Sequence, residues 1–189
     1  MSNKIVFDIE TKNTFEDVGG QEHIEKLEAS VVGVYSYATD TYRAFEEREF
    51  PELGELFQRA SLLIGFYSKK FDIPVMEKYF PFKIATIPHF DILEEIEKRL
   101  GRRIGLGHLA EANLGMGKTA HGLEAIEFWK HGELQKLKEY CLQDVRITKE
   151  LYERIKSPGF LWIPDRNIAT MTKLEFNYAE PEPPQAKLL

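Results

Sequence analysis

The sequence predicts an α/β fold in which a mixed central β-sheet is flanked by helices. Two observations carry that prediction. A strand-like segment at residues 4–10 is followed by two Val- and Tyr-rich segments around a short turn, the pattern of an antiparallel hairpin extending the first strand. Short apolar runs then alternate with stretches of helical spacing, the pattern of βα units. A hairpin and βα units sharing one sheet make that sheet mixed.

The elements follow in order. KIVFDIE (4–10) alternates apolar and mixed positions and reads as a strand, and the polar stretch 13–20, ending in Gly19-Gly20, reads as a loop. Residues 29–38 (ASVVGVYSYA) and 42–46 form the hairpin around Thr39-Asp40-Thr41. In 51–60, a leading Pro51 and the spacing of Leu53, Leu56, Phe57 and Ala60 predict a helix. Residues 62–64 read as a buried strand, 71–80 as a helix, 84–90 as a strand, 92–100 as a helix and 106–114 as a shorter one. Residues 123–155 make one or two helices, with Leu134, Leu137, Cys141, Val145, Thr148, Leu151 and Ile155 on one face. Beyond Pro158 the pattern weakens. Residues 160–163 add a candidate strand, and the Pro-rich tail 179–189 is expected to be mobile. This divides the chain into a domain at 1–157 and a C-terminal extension at 158–189.

Composition bounds the function. With 189 residues, 43% hydrophobic and 12% aromatic, the chain can bury a full core without staples or an obligatory partner. A mean hydropathy of -0.36 suits a soluble globular protein, and no apolar run approaches the roughly 20 residues that span a bilayer. Met1 leads straight into a strand, so no secretory signal is read, and a cytoplasmic, membrane-free protein is expected. The single cysteine, Cys141, excludes an internal disulfide or a multi-cysteine zinc site and reads as a buried spacer on a helix. The net charge is -6, from 25 Lys plus Arg against 31 Asp plus Glu. That argues against non-specific coating of nucleic acid, though not against a grip on one strand end.

Carboxylates stand where apolar residues belong. Val6, Asp8 and Glu10 share one face of the first strand because side chains repeat every second residue. Two buried like charges stay ionised only beside a cation or several donors. The alternative is a strand that ends at Phe7, leaving both acids as solvated loop residues. Asp144 continues the buried stripe of the last helix, one turn after Tyr140. Taken alone, that pair reads as a hydrogen-bonded core pair. Asp72, at a predicted helix start, reads by itself as an N-cap. As a set, the four acids point to a site.

The ordered motifs resemble the DEDD superfamily of 3′→5′ exonucleases, the group that contains polymerase proofreading domains. FDIET (7–11) is similar to its first motif, GFYSKKFD (65–72) to its second, and YCLQD (140–144) to the tyrosine form of its third. The stretch 89–151 is most similar to the YprB-type ribonuclease H-like branch, itself related to family-B polymerase proofreading domains. The resemblance implies a three-layer ribonuclease H-like fold and hydrolysis at the 3′ end of single-stranded DNA or RNA. It implies Asp8, Glu10, Asp72 and Asp144 as ligands of two divalent ions, Mg²⁺ or Mn²⁺. The chain has Tyr67 where relatives usually carry Asn, which puts details of substrate contact in question. Tyr140 stands where the sister branch has histidine. A phenol with an ordinary pKa of about 10 orients a water more readily than it takes its proton.

Around these motifs, Thr11, Lys69, Lys70, Phe71 and Lys118 are candidate substrate contacts. The lysines suit a nucleic-acid backbone or a solvated loop; Phe71 suits base stacking or a core position. ANLGMGKT (112–119) fits a permissive P-loop, but a helix-like segment precedes it where a strand is required, so an ATP site is not expected. His121 and His131 are assigned no role, and Trp129 reads as packing. Two alternatives compete: an endonuclease of the same fold and a non-catalytic nucleic-acid-binding module. Tyr140 four residues before the last acid favours the exonuclease, and the intact acid set speaks against the module.

Overall fold

The structure is a computed structural model that describes residues 3–116, 122–165 and 170–179. Five strands form one sheet in the order β3-β2-β1-β4-β5. β1 (Lys4–Thr11), β2 (Ala29–Ser36) and β3 (Thr41–Glu46) are the predicted antiparallel set. β4 (Leu62–Gly65) and β5 (His89–Asp91) join β1 in parallel. The sheet is mixed, as its sequence order requires.

The alternation of β1 sets the two cores. Ile5, Phe7 and Ile9 point to one side, where α1 (Phe50–Gln58) supplies Leu53 and Phe57 and α2 (Asp72–Met76) supplies Val75 and Met76. Val6 points to the other, against α3 (Ile92–Leu100), α4 (Leu106–Leu114) and the long α6 (Leu134–Lys156). Helices therefore cover both faces of the sheet, which makes three layers. α5 (Gly122–Lys130) precedes α6, and Gly132 separates them at φ 70°, a left-handed conformation that glycine adopts without strain. The segment 123–155 is thus two helices.

Two expectations need correction. Residues 84–90 are not one strand: Ile84–Thr86 is a 3-10 turn, and pairing begins where Leu63 N–H donates to the Pro88 carbonyl. Ile84 is fully buried, so its apolar character reflects a core turn, which periodicity cannot separate from a strand. The helix expected over 71–80 is α2 followed by a 3-10 turn, Glu77–Tyr79. The strand expected at 160–163 is present as β6 (Phe160–Pro164), and it pairs outside the main sheet with a further strand, β7 (Met171–Glu175). Leu161 and Ile163 of β6 are buried in the same core as α4 and α6. Lys118, His121 and tail residues 180–189 lie outside the described residues. Among the described residues no helix is long and apolar enough to cross a membrane.

Candidate functional site

The site forms where β1 outruns its parallel neighbour. β1 pairs with β4 only over Lys4–Val6, while its pairing with β2 continues to Thr11. The backbone of β1 beyond Val6 is therefore open on the β4 side. Asp72 fills part of that opening, its buried carboxylate accepting the Ile9 N–H and its own N–H. Asp72 is the first residue of α2, not its cap, and the capping position, Phe71, makes no side-chain cap bond. The N-cap reading of Asp72 is set aside.

Asp8 and Glu10 face α6 as strand alternation requires. Glu10 is buried and Asp8 half-buried, so neither is a solvated loop residue. Their carboxylates and the Cys141 thiol lie within 4.8 Å of one another. Asp72 and Asp144 are outside that tight trio; the charge of Asp144 acts on the Cys141 thiol, and Asp72 is within reach of Asp144. Burial first, and then the charges of Asp91 and Asp144, push the Asp72 carboxyl up to about 8. Asp8 and Asp144 line one cavity of about 410 Å³, together with Tyr67, Arg103 and Leu106.

Close packing of α6 on the sheet makes this convergence possible. Gly33 sits opposite Asp8 in the β1–β2 ladder, and its N–H donates to the Cys141 sulfur at 3.1 Å. A Cβ on Gly33 would lie 2.9 Å from Val145 and 3.3 Å from the Cys141 carbonyl carbon, so only glycine lets the helix approach this far. The Cys141 thiol in turn points at the Asp8 carbonyl, 3.4 Å away. Burial and the neighbouring carboxylates Asp8 and Glu10 hold that thiol well above its ordinary range, so it stays protonated. A protonated thiol among carboxylates is a poor soft-metal ligand. The donor set that remains is all oxygen, which fits a hard divalent cation.

Tyr140 is buried with Val31, Ala125, Leu137 and Cys141. It lines a second hollow of about 770 Å³ with Lys136, Gln143 and Arg146, and does not line the Asp8–Asp144 cavity. The other candidates separate. Lys69 and Lys70 are ion-paired with Glu94 (2.7 Å) and Glu97 (3.1 Å). Phe71 meets Phe15 edge-on at the margin of the core, which favours the packing reading. Thr11 is buried, its hydroxyl donating to the Asn13 carbonyl. Trp129 packs beside Val31 and Tyr140, as expected. α4, not a strand, leads into the glycine-rich stretch.

Sequence reasoning missed Asp91. This buried residue caps α3 through the Glu94 N–H, and it accepts the Tyr67 and Lys69 N–H groups at 2.9 and 3.0 Å. It thereby fixes the loop that delivers Asp72. An aspartate directly before a helical pattern is an N-cap signal, so the capping half of its role was readable. Beside it, the buried Ser68 hydroxyl meets His89 Nε2 at 2.8 Å, and burial brings His89 down to about 3, keeping it neutral.

A family model described as the RNase H superfamily matches residues 5–156. No curated protein sequence matches the chain. Among solved structures, the family B DNA polymerase from the hyperthermophilic archaeon Pyrobaculum calidifontis is similar, at 18% identity and a TM-score of 0.64. The likeness covers 82% of this chain and 25% of the polymerase, and it is one of fold.

Proposed function

This chain belongs to the RNase H superfamily, and from that premise we propose that it is a metal-dependent 3′→5′ exonuclease acting on single-stranded DNA or RNA. What supports the reading is the pairwise closeness of four carboxylates: Asp8 beside Glu10, Asp8 and Asp144 lining one cavity, and Asp72 within electrostatic reach of Asp144. Four carboxylates gathered in a partly buried place repel one another, and a bound cation relieves that repulsion. Asp8, Glu10, Asp72 and Asp144 would hold two divalent ions, Mg²⁺ or Mn²⁺. When bound, such ions supply Lewis acidity and charge neutralisation for phosphodiester hydrolysis.

The chain's own groups do the rest. Asp72, tied to the Ile9 N–H, keeps its carboxylate fixed against β1. Tyr140, one turn before Asp144, takes the water-orienting role that the tyrosine form of the third motif implies; its side chain lines a separate hollow and would have to turn toward the acids to act. The order of the three sequence motifs, with tyrosine in the third, favours exonuclease over endonuclease action.

The test is digestion of 3′-labelled and 5′-labelled single strands of DNA and RNA, and of a circular strand, in Mg²⁺, Mn²⁺ and EDTA. Stepwise loss from the 3′ end is expected in either metal, with none in EDTA or with Asp8→Ala. Cleavage of the circle would refute the exonuclease reading. Activity undiminished in EDTA would refute the metal site.

A further inference from the structure

The cavity lined by Asp8 and Asp144 is also lined by one cation, Arg103. Arg103 lines it beside Tyr67, which donates nothing to the metal-ligating set. The Arg103 guanidinium lies over the Tyr67 ring, 4.6 Å from its centre, and also donates to the Tyr67 hydroxyl at 2.9 Å. Tyr67 is one of only two non-glycine residues with positive φ among the described residues, at 63°. That conformation is uncommon for a bulky residue and costs of order 1 kcal/mol or more. The Asp91 carboxylate holds it there through the Tyr67 N–H. Glycine or asparagine would occupy the position with less strain. A tyrosine kept at such a place points to a use for its side chain.

Arg103 is free to exchange partners. Its present ion pair is with Glu97 at 3.0 Å, and both side chains are partly exposed, at 50% and 29%. Pairs of that kind are held weakly. Glu97 also pairs with Lys70, so it keeps a partner when Arg103 turns away. The neighbouring Arg102 is tied instead to Asp165 and to the Pro164 carbonyl, which fixes this stretch against β6. A second hollow of about 350 Å³ shares Arg103, Ile104 and Gly105 with the first and adds Arg102 and His108. The surface therefore runs from the carboxylates past Arg103 to a second basic position. Arg103 is the cation at the junction.

We propose that Arg103, steadied by Tyr67, is a positioning group that binds a backbone phosphate of the nucleic-acid strand, the one next to the scissile linkage on its 5′ side. This deepens the exonuclease reading and rests on it for the polarity of the strand. The chemistry is simple. Cations held by Asp8, Glu10, Asp72 and Asp144 would supply charge neutralisation at the scissile phosphate, and a donor from the protein would serve the adjacent one. A planar guanidinium fits two phosphate oxygens, and a tyrosine face preorganises it.

The test is a double cycle read by binding, which needs no turnover. Fluorescence anisotropy in EDTA compares wild type, Arg103→Ala, Arg103→Lys and Tyr67→Asn on a short single strand with a free 3′ end. Each is also measured on strands carrying one neutral methylphosphonate at successive linkages. Arg103→Ala should weaken binding about tenfold and lower the salt dependence by about one counterion. The neutral linkage next to the terminal one should cost wild type about as much and cost Arg103→Ala nothing. Arg103→Lys should recover part of the loss, and Tyr67→Asn should fall between the two. Additive losses, an unchanged salt slope in Arg103→Ala, or no strand binding by wild type at any salt would overturn the proposal. Wild type that binds in this pattern yet digests no strand in Mg²⁺ or Mn²⁺ would sink the exonuclease reading and leave the phosphate contact standing.

Discussion

Gly33→Ala is the substitution that asks most of this structure. The added methyl would lie 2.9 Å from Val145 Cγ2, 3.0 Å from Cys141 Sγ and 3.3 Å from the Cys141 carbonyl carbon. The first two belong to short, buried side chains, and the third is helix backbone that cannot rotate aside. α6 must therefore move off the sheet by a few tenths of an ångström. Overpacking of this kind costs about 1–3 kcal/mol. In a chain of this length each kcal/mol lowers Tm by about 2–4 °C, so a mid-range cost of about 2 kcal/mol gives a fall of about 4–8 °C. The functional loss should be larger than the stability loss suggests. Asp144 rides on the moving helix while Asp8 stays on β1 opposite Gly33, so their separation changes. Misplacement by about 1 Å can cost on the order of 100-fold in rate. Circular dichroism melts, run with metal-dependent turnover at a temperature where both proteins are folded, measure the two effects. Adding Val145→Ala should give a combined loss smaller than the sum of the single losses, because one clash is removed. A Gly33→Ala protein with an unchanged Tm and full turnover would refute the claim that helix approach sets the site.

Three further outcomes follow from the same geometry. Asp72 has a folded pKa above its unfolded value, so its contribution to stability is present at acid pH and lost as pH rises through about 8. Metal-free Asp72→Asn should therefore gain in Tm over wild type as pH rises from 5 to 9, and Mg²⁺ should no longer stabilise it; a difference independent of pH contradicts this. Asp91→Ala removes the acceptor for the Tyr67, Lys69 and Glu94 N–H groups and should cost about 2–4 kcal/mol. Amide exchange at Tyr67 and Lys69 should accelerate, and unchanged protection there would show that Asp91 does not hold the loop. Tyr140→Phe should keep the fold and lower single-turnover cleavage by about 10–100-fold. Equal rates would remove Tyr140 from the mechanism.

What the sequence revealed was what local periodicity encodes. Strand alternation put Asp8 and Glu10 on one face of β1, and helical spacing put Asp144 one turn from Tyr140; both placements are observed. The hairpin, α1 and α3 were legible for the same reason. Contacts between distant segments were not. Gly33 gave no sign that a helix more than a hundred residues later would press against it. Lys69 and Lys70 read as cations for a nucleic acid, and their partners Glu94 and Glu97 come from a helix too far along the chain for local spacing to announce. The net charge of -6 gave no hint that Arg103 would line the cavity of Asp8 and Asp144. β7 lacks a clear apolar face, with four of its five residues exposed, so no burial pattern marked it.

The acid cluster raises a question of folding, since four carboxylates must converge before any cation binds. Topology supplies part of the answer. β4 ends at Gly65, where the Ser68 hydroxyl crowds so near that a Cβ would lie 2.1 Å from it, and the chain turns away from β1. That turn leaves the Ile9 N–H without a strand partner on the β4 side, and Asp72 supplies the acceptor. A buried donor left unmet costs about 1–3 kcal/mol, so the interrupted ladder itself recruits the carboxylate. Protonation supplies the rest. Burial raises the folded Asp72 to about 8, so near pH 7 it takes up a proton as the site closes around it, which removes one of the like charges from the metal-free protein. Cation binding must then expel that proton. Metal affinity should consequently fall as pH drops below about 8, coupling occupancy of the site to proton release.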